Sequence, residues 1–269
     1  MPSTDSAARL VRLASEYWET SLEIAPLTAT QLGEPGHDDQ LPPLDPTVRR
    51  SHAQRLAAQR GAVEAIDAGD LPEADVVTRL ALLEAIDAQR ILLDADLPSF
   101  TVDPMSGPQI EFLNVPEYQA ADTPERARDM AERWRRMGPW IDTLADRQRA
   151  SIDEGRRPVR ILVERVIDEL RALLARPDQD WPLLHPAQSV EARAGDAGAS
   201  RFAAALETAV REGVRPAFER YLAFLTEAAL PAARGDDAVG LNHVPGGAEL
   251  YRSMARVHTT TELDPEELH

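Results

Sequence analysis

The stretch PVRILVERVIDELRALLARP, residues 158–177, decides the fold class. Val159, Leu162, Val163, Val166, Leu170, Leu173 and Leu174 recur at steps of three and four. Glu164, Arg165, Asp168, Glu169 and Arg171 fill the positions between them. Apolar residues at that spacing fall on one stripe of a helix, with the charges on the other side. Pro158 suits a first turn, where its missing N–H is not needed. Pro177 stops the helix, because the residue before a proline avoids the α region.

The same grammar extends outward in both directions. Upstream, 6–24 carries Leu10, Leu13, Tyr17, Leu22 and Ile24 and ends at Pro26. A second helix is predicted over 46–68 from Val48, Leu56, Val63 and Ile66, and a third over 72–97 from Val76, Leu80, Leu83, Ile86, Leu92 and Leu93. Thr123-Pro124-Glu125-Arg126 reads as a cap followed by a first-turn proline. It opens a helix with Met130, Trp134 and Met137. Gly138-Pro139 is expected to break that helix, with Trp140, Ile141, Leu144 and Ile152 continuing beyond. Downstream, a long helix from about 200 to 231 is expected to kink at Pro216. The stretches 100–115 and 178–198 read as irregular. No segment alternates with period two for long, so the fold class is all-α, a packing of long helices punctuated by prolines.

Composition narrows the chemistry. The 269 residues include no Cys, 46 acids and 29 basic residues, all of them Arg, for a formal net charge of -17. Disulfides, thiolate metal sites and cysteine nucleophiles are excluded. So are Schiff-base lysines and a phosphate-loop lysine. A strongly acidic surface is a poor match for nucleic acid or anionic lipid. No apolar signal region opens the chain and no run approaches a membrane span, which leads to the expectation of a cytoplasmic protein.

Catalytic motifs are scarce. A zinc hydrolase of the common helical type needs two His one turn apart and a nearby Glu. The six His are His37, His52, His185, His243, His258 and His269, and none lies four residues from another. His258 and Glu262 have that spacing, but Thr259-Thr260-Thr261 between them is poor helix material. Gly246-Gly247 after Pro245 reads as a tight turn before a helix, with backbone N–H groups that could approach a ligand. Asp38-Asp39 and Asp236-Asp237 read as turn or cap residues. Glu84 and Asp87 lie one turn apart, with Arg79 and Arg90 as expected partners. Tyr17, Trp18, Trp134, Trp140 and Tyr221 fit core packing at helical spacing.

Four blocks, in order, carry a family resemblance. They are Tyr17-Trp18 with residues 25–33 and 37–41; Met105-Ser106-Gly107-Pro108-Gln109; residues 230–234 with Val239-Gly240-Leu241; and Pro245-Gly246-Gly247-Ala248-Glu249-Leu250-Tyr251 with His258-Thr259-Thr260-Thr261 and residues 265–269. Together they resemble the N-terminal half of the bacterial DUF885 family over nearly the whole chain. The resemblance implies a helical fold similar to zinc metallopeptidases of the thermolysin-like or angiotensin-converting-enzyme-like kind. It implies zinc in full-length members, held by a His-Glu element followed by Pro-Gly-His-His. This chain contains neither motif, so no catalytic residue, metal ligand or cofactor is expected in it.

The resemblance carries substrate-binding positions only to Gly246, Gly247, Tyr251 and His258. It also implies one helical region over 1–269, with a bundle over 1–235 and a segment over 236–269 that leads toward a catalytic half. The expected function is that of an N-terminal part of a peptidase-like protein without hydrolytic activity alone. Its partner would be a separate catalytic half or a peptide-like ligand. The alternative is a helical binding or interaction protein that has lost catalysis.

Overall fold

The computed structural model describes residues 4–191, 197–263 and 267. In chain order its helices are α1 (Thr4–Ile24), α2 (Pro26–Leu32), α3 (Pro46–Glu64), α4 (Glu73–Ala95), α5 (Pro108–Tyr118), α6 (Pro124–Asp153), α7 (Arg160–Leu174), α8 (His185–Glu191), α9 (Ala197–Thr208), α10 (Arg215–Phe224), α11 (Leu230–Ala232) and α12 (Gly247–Thr259). Among the described residues the only β pairing is an isolated bridge between Val159 and Arg234. The all-α reading holds.

The chain groups into two compact units. The first comprises Met1–Ile24, Pro43–Leu97 and Leu241–His269. Its core joins Leu10 and Leu13 of α1, Leu56 and Val63 of α3, and Leu82, Ile86 and Leu93 of α4. Helices α3 and α4 run antiparallel. Arg49 donates to Leu93 O at 2.7 Å, Arg60 to Asp87 at 2.8 Å and Arg79 to Glu64 O at 2.9 Å. Tyr17 fastens α1 to α4 through its hydroxyl, 3.2 Å from Ala85 O. Trp18 departs from the expected core role: its side lies 42% exposed.

The second unit comprises Ala25–Pro42 and Pro98–Gly240. Its centre is the apolar side of α6, where Met130, Trp134, Met137 and Ile141 are fully buried. Val163, Val166 and Leu170 of α7 are buried too, as are Phe218 and Tyr221 of α10. The buried Trp134 indole donates to Leu183 O at 2.9 Å, so its polar atom is satisfied.

Prolines break this fold less than their number suggests. Contrary to expectation, α6 runs straight through Gly138-Pro139 for 30 residues. Pro139 faces solvent, where water can hydrate the carbonyl it leaves without a donor, while Met137 and Ile141 keep the core stripe intact. Gly138 has a separate role. A Cβ there would lie 2.9 Å from the carbonyl oxygen of Gly213, so the two backbones meet at that point. At Pro216 the chain forms a π-helical turn, Ala209–Val214, immediately upstream. A second π turn, Leu225–Ala229, precedes Pro231. The wider turn absorbs the clash between each proline ring and the carbonyl a turn earlier. The stretch 100–115, read as irregular, contains the start of α5, which opens on Pro108 and carries Pro116 inside it.

Candidate functional site

The positions carried by the resemblance converge on α12. Gly246 sits in the left-handed region at φ 70°, which glycine adopts at no steric cost. Two tight backbone bonds follow each other there, Val244 N to Leu241 O at 3.0 Å and Gly247 N to Val244 O at 2.9 Å. Gly247 is buried, and a Cβ on it would fall 1.6 Å from Leu241 O. The Gly-Gly pair therefore forms the tight turn expected before a helix. Tyr251 and His258 are exposed and lie four and eleven residues beyond Gly247, so the three share one side of α12. Tyr251 is 43% exposed.

The opposite side of α12 is tied down. Arg256 reaches Glu84 of α4 in a two-pronged pair at 2.7 and 3.1 Å, and its Nε donates to Glu262 at 2.7 Å. These hydrogen bonds, Glu84 first, raise the Arg256 guanidinium pKa further. Glu84 thus pairs across 172 residues rather than with Arg79 or Arg90. The helix ends at Thr259, and Thr260 follows with φ 56°. This is an uncommon conformation for a β-branched residue. It is supported by local bonds from Thr260 N to Arg256 O and between the Thr259 and Thr261 hydroxyls.

The described residues do not fit a catalytic zinc ion. Among the described residues no group of three His, Asp or Glu side chains converges. His258 and Glu262 are separated by the end of α12, and Glu262 is engaged by Arg256. His52 is buried against Arg55 at 2.9 Å, and burial, then the Arg55 charge, lowers its pKa. His269 lies outside the described residues.

A second constellation, in the other unit, escaped the sequence reading. Arg133 of α6 is completely buried, yet no carboxylate touches it among the described residues. Its Nε donates to Gln40 O at 2.9 Å, its Nη1 to Gln119 at 2.6 Å, and its Nη2 to Thr30 Oγ1 at 2.8 Å and to His37 O. Burial pushes its pKa down to about 10, against the pull of Asp38, Tyr118 and Asp39 nearby. Asp38 itself accepts from Thr30 Oγ1 at 2.7 Å. Asp39 pairs with Arg136 at 3.1 Å. One signal was available in the sequence: Arg133 occupies a position on the stripe of Met130 and Met137, where an apolar residue belongs.

This unit also contains a groove of about 1140 Å³ between the first half of α6 and α9. Ala127 and Ala131 form one wall, and Phe202, Ala205 and Ala209 the other. Among the described residues no helix is long and apolar enough to cross a membrane.

Residues 26–269 match the model of the family described as "Bacterial protein of unknown function (DUF885)". The chain belongs to the DUF885 family. The match takes in the buried Arg133 cluster, the groove and the whole of α12. Among solved structures, this DUF885 chain is similar to "the putative lipoprotein from Colwellia psychrerythraea", at 17% identity and a TM-score of 0.80. The alignment covers 98% of this chain and 48% of that one, so the chain spans about half the length of its structural relative. The likeness is one of fold. No curated protein matches the sequence.

Proposed function

We propose that this DUF885 chain is the helical, non-hydrolytic part of a two-part protein of the zinc-peptidase-like kind. The observation that carries this reading is the alignment of nearly the whole chain to about half of a longer relative with the same fold. The scattered imidazoles support it: a metal hydrolase needs three protein ligands around an open position, and the described residues bring no such set together. Tyr251 and His258 then line one wall of a substrate groove, and the Gly246-Gly247 turn sets the start of the helix that carries them. The Tyr251 hydroxyl and His258 imidazole, exposed on one side of α12, would hydrogen-bond a peptide. Calorimetric zinc titration and peptide hydrolysis with and without chelator test the reading on the isolated chain. The expected result is neither stoichiometric zinc binding nor chelator-sensitive cleavage. Tight one-to-one zinc binding with turnover would refute it.

A second reading is a binding protein that has lost catalysis. The α6–α9 groove favours it, because its volume is on the scale of ligand pockets and its lining mixes alanines and Phe202 with charged side chains such as Arg128, Glu132 and Arg201. It predicts a single sharp thermal transition for the chain without a partner.

A further inference from the structure

We propose that residues 33–42 form a latch that opens as one unit while the rest of their compact unit stays folded. The strap is held by side chains rather than by a backbone ladder. Arg133 donates to the carbonyls of His37 and Gln40, Gln119 to Asp38 O at 2.8 Å, Arg136 to Asp39 O at 3.1 Å, and Trp140 to Pro42 O at 2.7 Å. Five of the six carbonyls from His37 to Pro42 are thus captured by donors on α6 and at the end of α5. The backbone–backbone bonds of the strap are all local: Gly33 N to Thr30 O, Glu34 N to Ala29 O and Gln40 N to His37 O.

Such anchoring is cooperative. Arg133 holds two strap carbonyls and also bonds Gln119, which holds a third, so losing one donor loosens the others. A glycine hinge is built in at the near end, and the far end is a stiff proline pair. Gly33 and Gly36 sit at φ 78° and 86°, and Pro42-Pro43 bounds the far side. The closed state also carries an uncompensated group. His37 is 8% exposed, and its Nδ1 has no partner among the described residues. Opening hydrates that nitrogen, whereas closing strips its water without a replacement bond. Local openings of this kind lie below the global unfolding free energy.

The chain has no Cys, so one introduced thiol is a clean reporter. His37→Cys places it on the strap, and Val166→Cys places a control in the buried α7 core of the same unit. Labelling by a thiol reagent under native conditions is expected to run at least tenfold faster at position 37 than at 166, with a shallower urea dependence. Trp140→Phe removes the donor to Pro42 O. In that background labelling at 37 is expected to rise by about fivefold, the size of one hydrogen bond, with 166 unchanged. Leu41→Cys replaces the first reporter if His37→Cys fails to fold. Equal rates and equal urea slopes at the two sites would overturn the proposal. So would a Trp140→Phe effect that is absent at the strap, or the same at both sites.

Discussion

The turn at Gly246-Gly247 allows a sharp test of what those glycines do. In Gly247→Ala the new Cβ starts 1.6 Å from Leu241 O, 2.6 Å from Leu241 C and 2.9 Å from a Val244 methyl. A carbon–oxygen contact relaxes only near about 3.3 Å, so the Leu241 carbonyl must retreat by roughly 1.7 Å (3.3 less the 1.6 Å above). That carbonyl accepts the Val244 N–H, and Val244 O in turn accepts the Gly247 N–H. The displacement therefore strains two consecutive hydrogen bonds as well as packing. Overpacking costs ~1–3 kcal/mol, and a backbone obstacle puts this site at the upper end. Alanine regains ~1 kcal/mol of helix propensity, so the net loss is about 2 kcal/mol. Gly246→Ala meets no atom within 4 Å and pays only for its left-handed backbone, ~1–2 kcal/mol. Urea unfolding of both variants, read as midpoint shifts at constant slope, checks the numbers. If Gly247→Ala unfolds within about 0.5 kcal/mol of the parent, the close packing is wrong and the glycines are free for another role.

Arg133→Met should destabilise its unit by about 3 kcal/mol, because several buried acceptors lose their donor while only part of that loss is offset by removing a buried charge; chemical denaturation followed by the fluorescence of Trp134, Trp140 and Trp181 would show it. Gly138→Ala drives a methyl to 2.9 Å from Gly213 O, and a net loss of ~1–2 kcal/mol is expected after the gain in helix propensity. Wild-type stability after that substitution would mean that α6 and the π turn separate easily. Glu132, hydrogen-bonded first by Arg135 and then by Arg136, has its pKa held at about 2 against an ordinary 4.5. Its pKa is depressed on folding, so its contribution is present above pH 4.5 and is lost as pH falls toward 2. A carboxyl NMR titration that places Glu132 near 4.5 would contradict those ion pairs.

Periodicity alone placed most helices, because a stripe at steps of three and four specifies both an element and the side it buries. The bounds of α1, α3, α4 and α7 follow from capping residues and prolines that act locally. The same local rules misread α6 at Gly138-Pro139 and passed over α5. In both places buried side chains on the inner side, such as Met137 and Phe112, hold a helix that proline by itself disfavours. The sequence also singled out the Gly-Gly turn, which the close approach of Leu241 O explains.

By itself, then, the sequence determined the class of fold, the exclusion of thiol and lysine chemistry, and the family. These depend on composition, short-range spacing and the order of motifs. Only the tertiary structure decided that Glu84 pairs with Arg256, that Gly138 meets Gly213, and that Arg133 takes the His37 and Gln40 carbonyls. Each of those contacts joins positions far apart in the chain. A buried charge is tolerated only where the folded chain supplies acceptors from several elements at once, and no local pattern encodes that convergence.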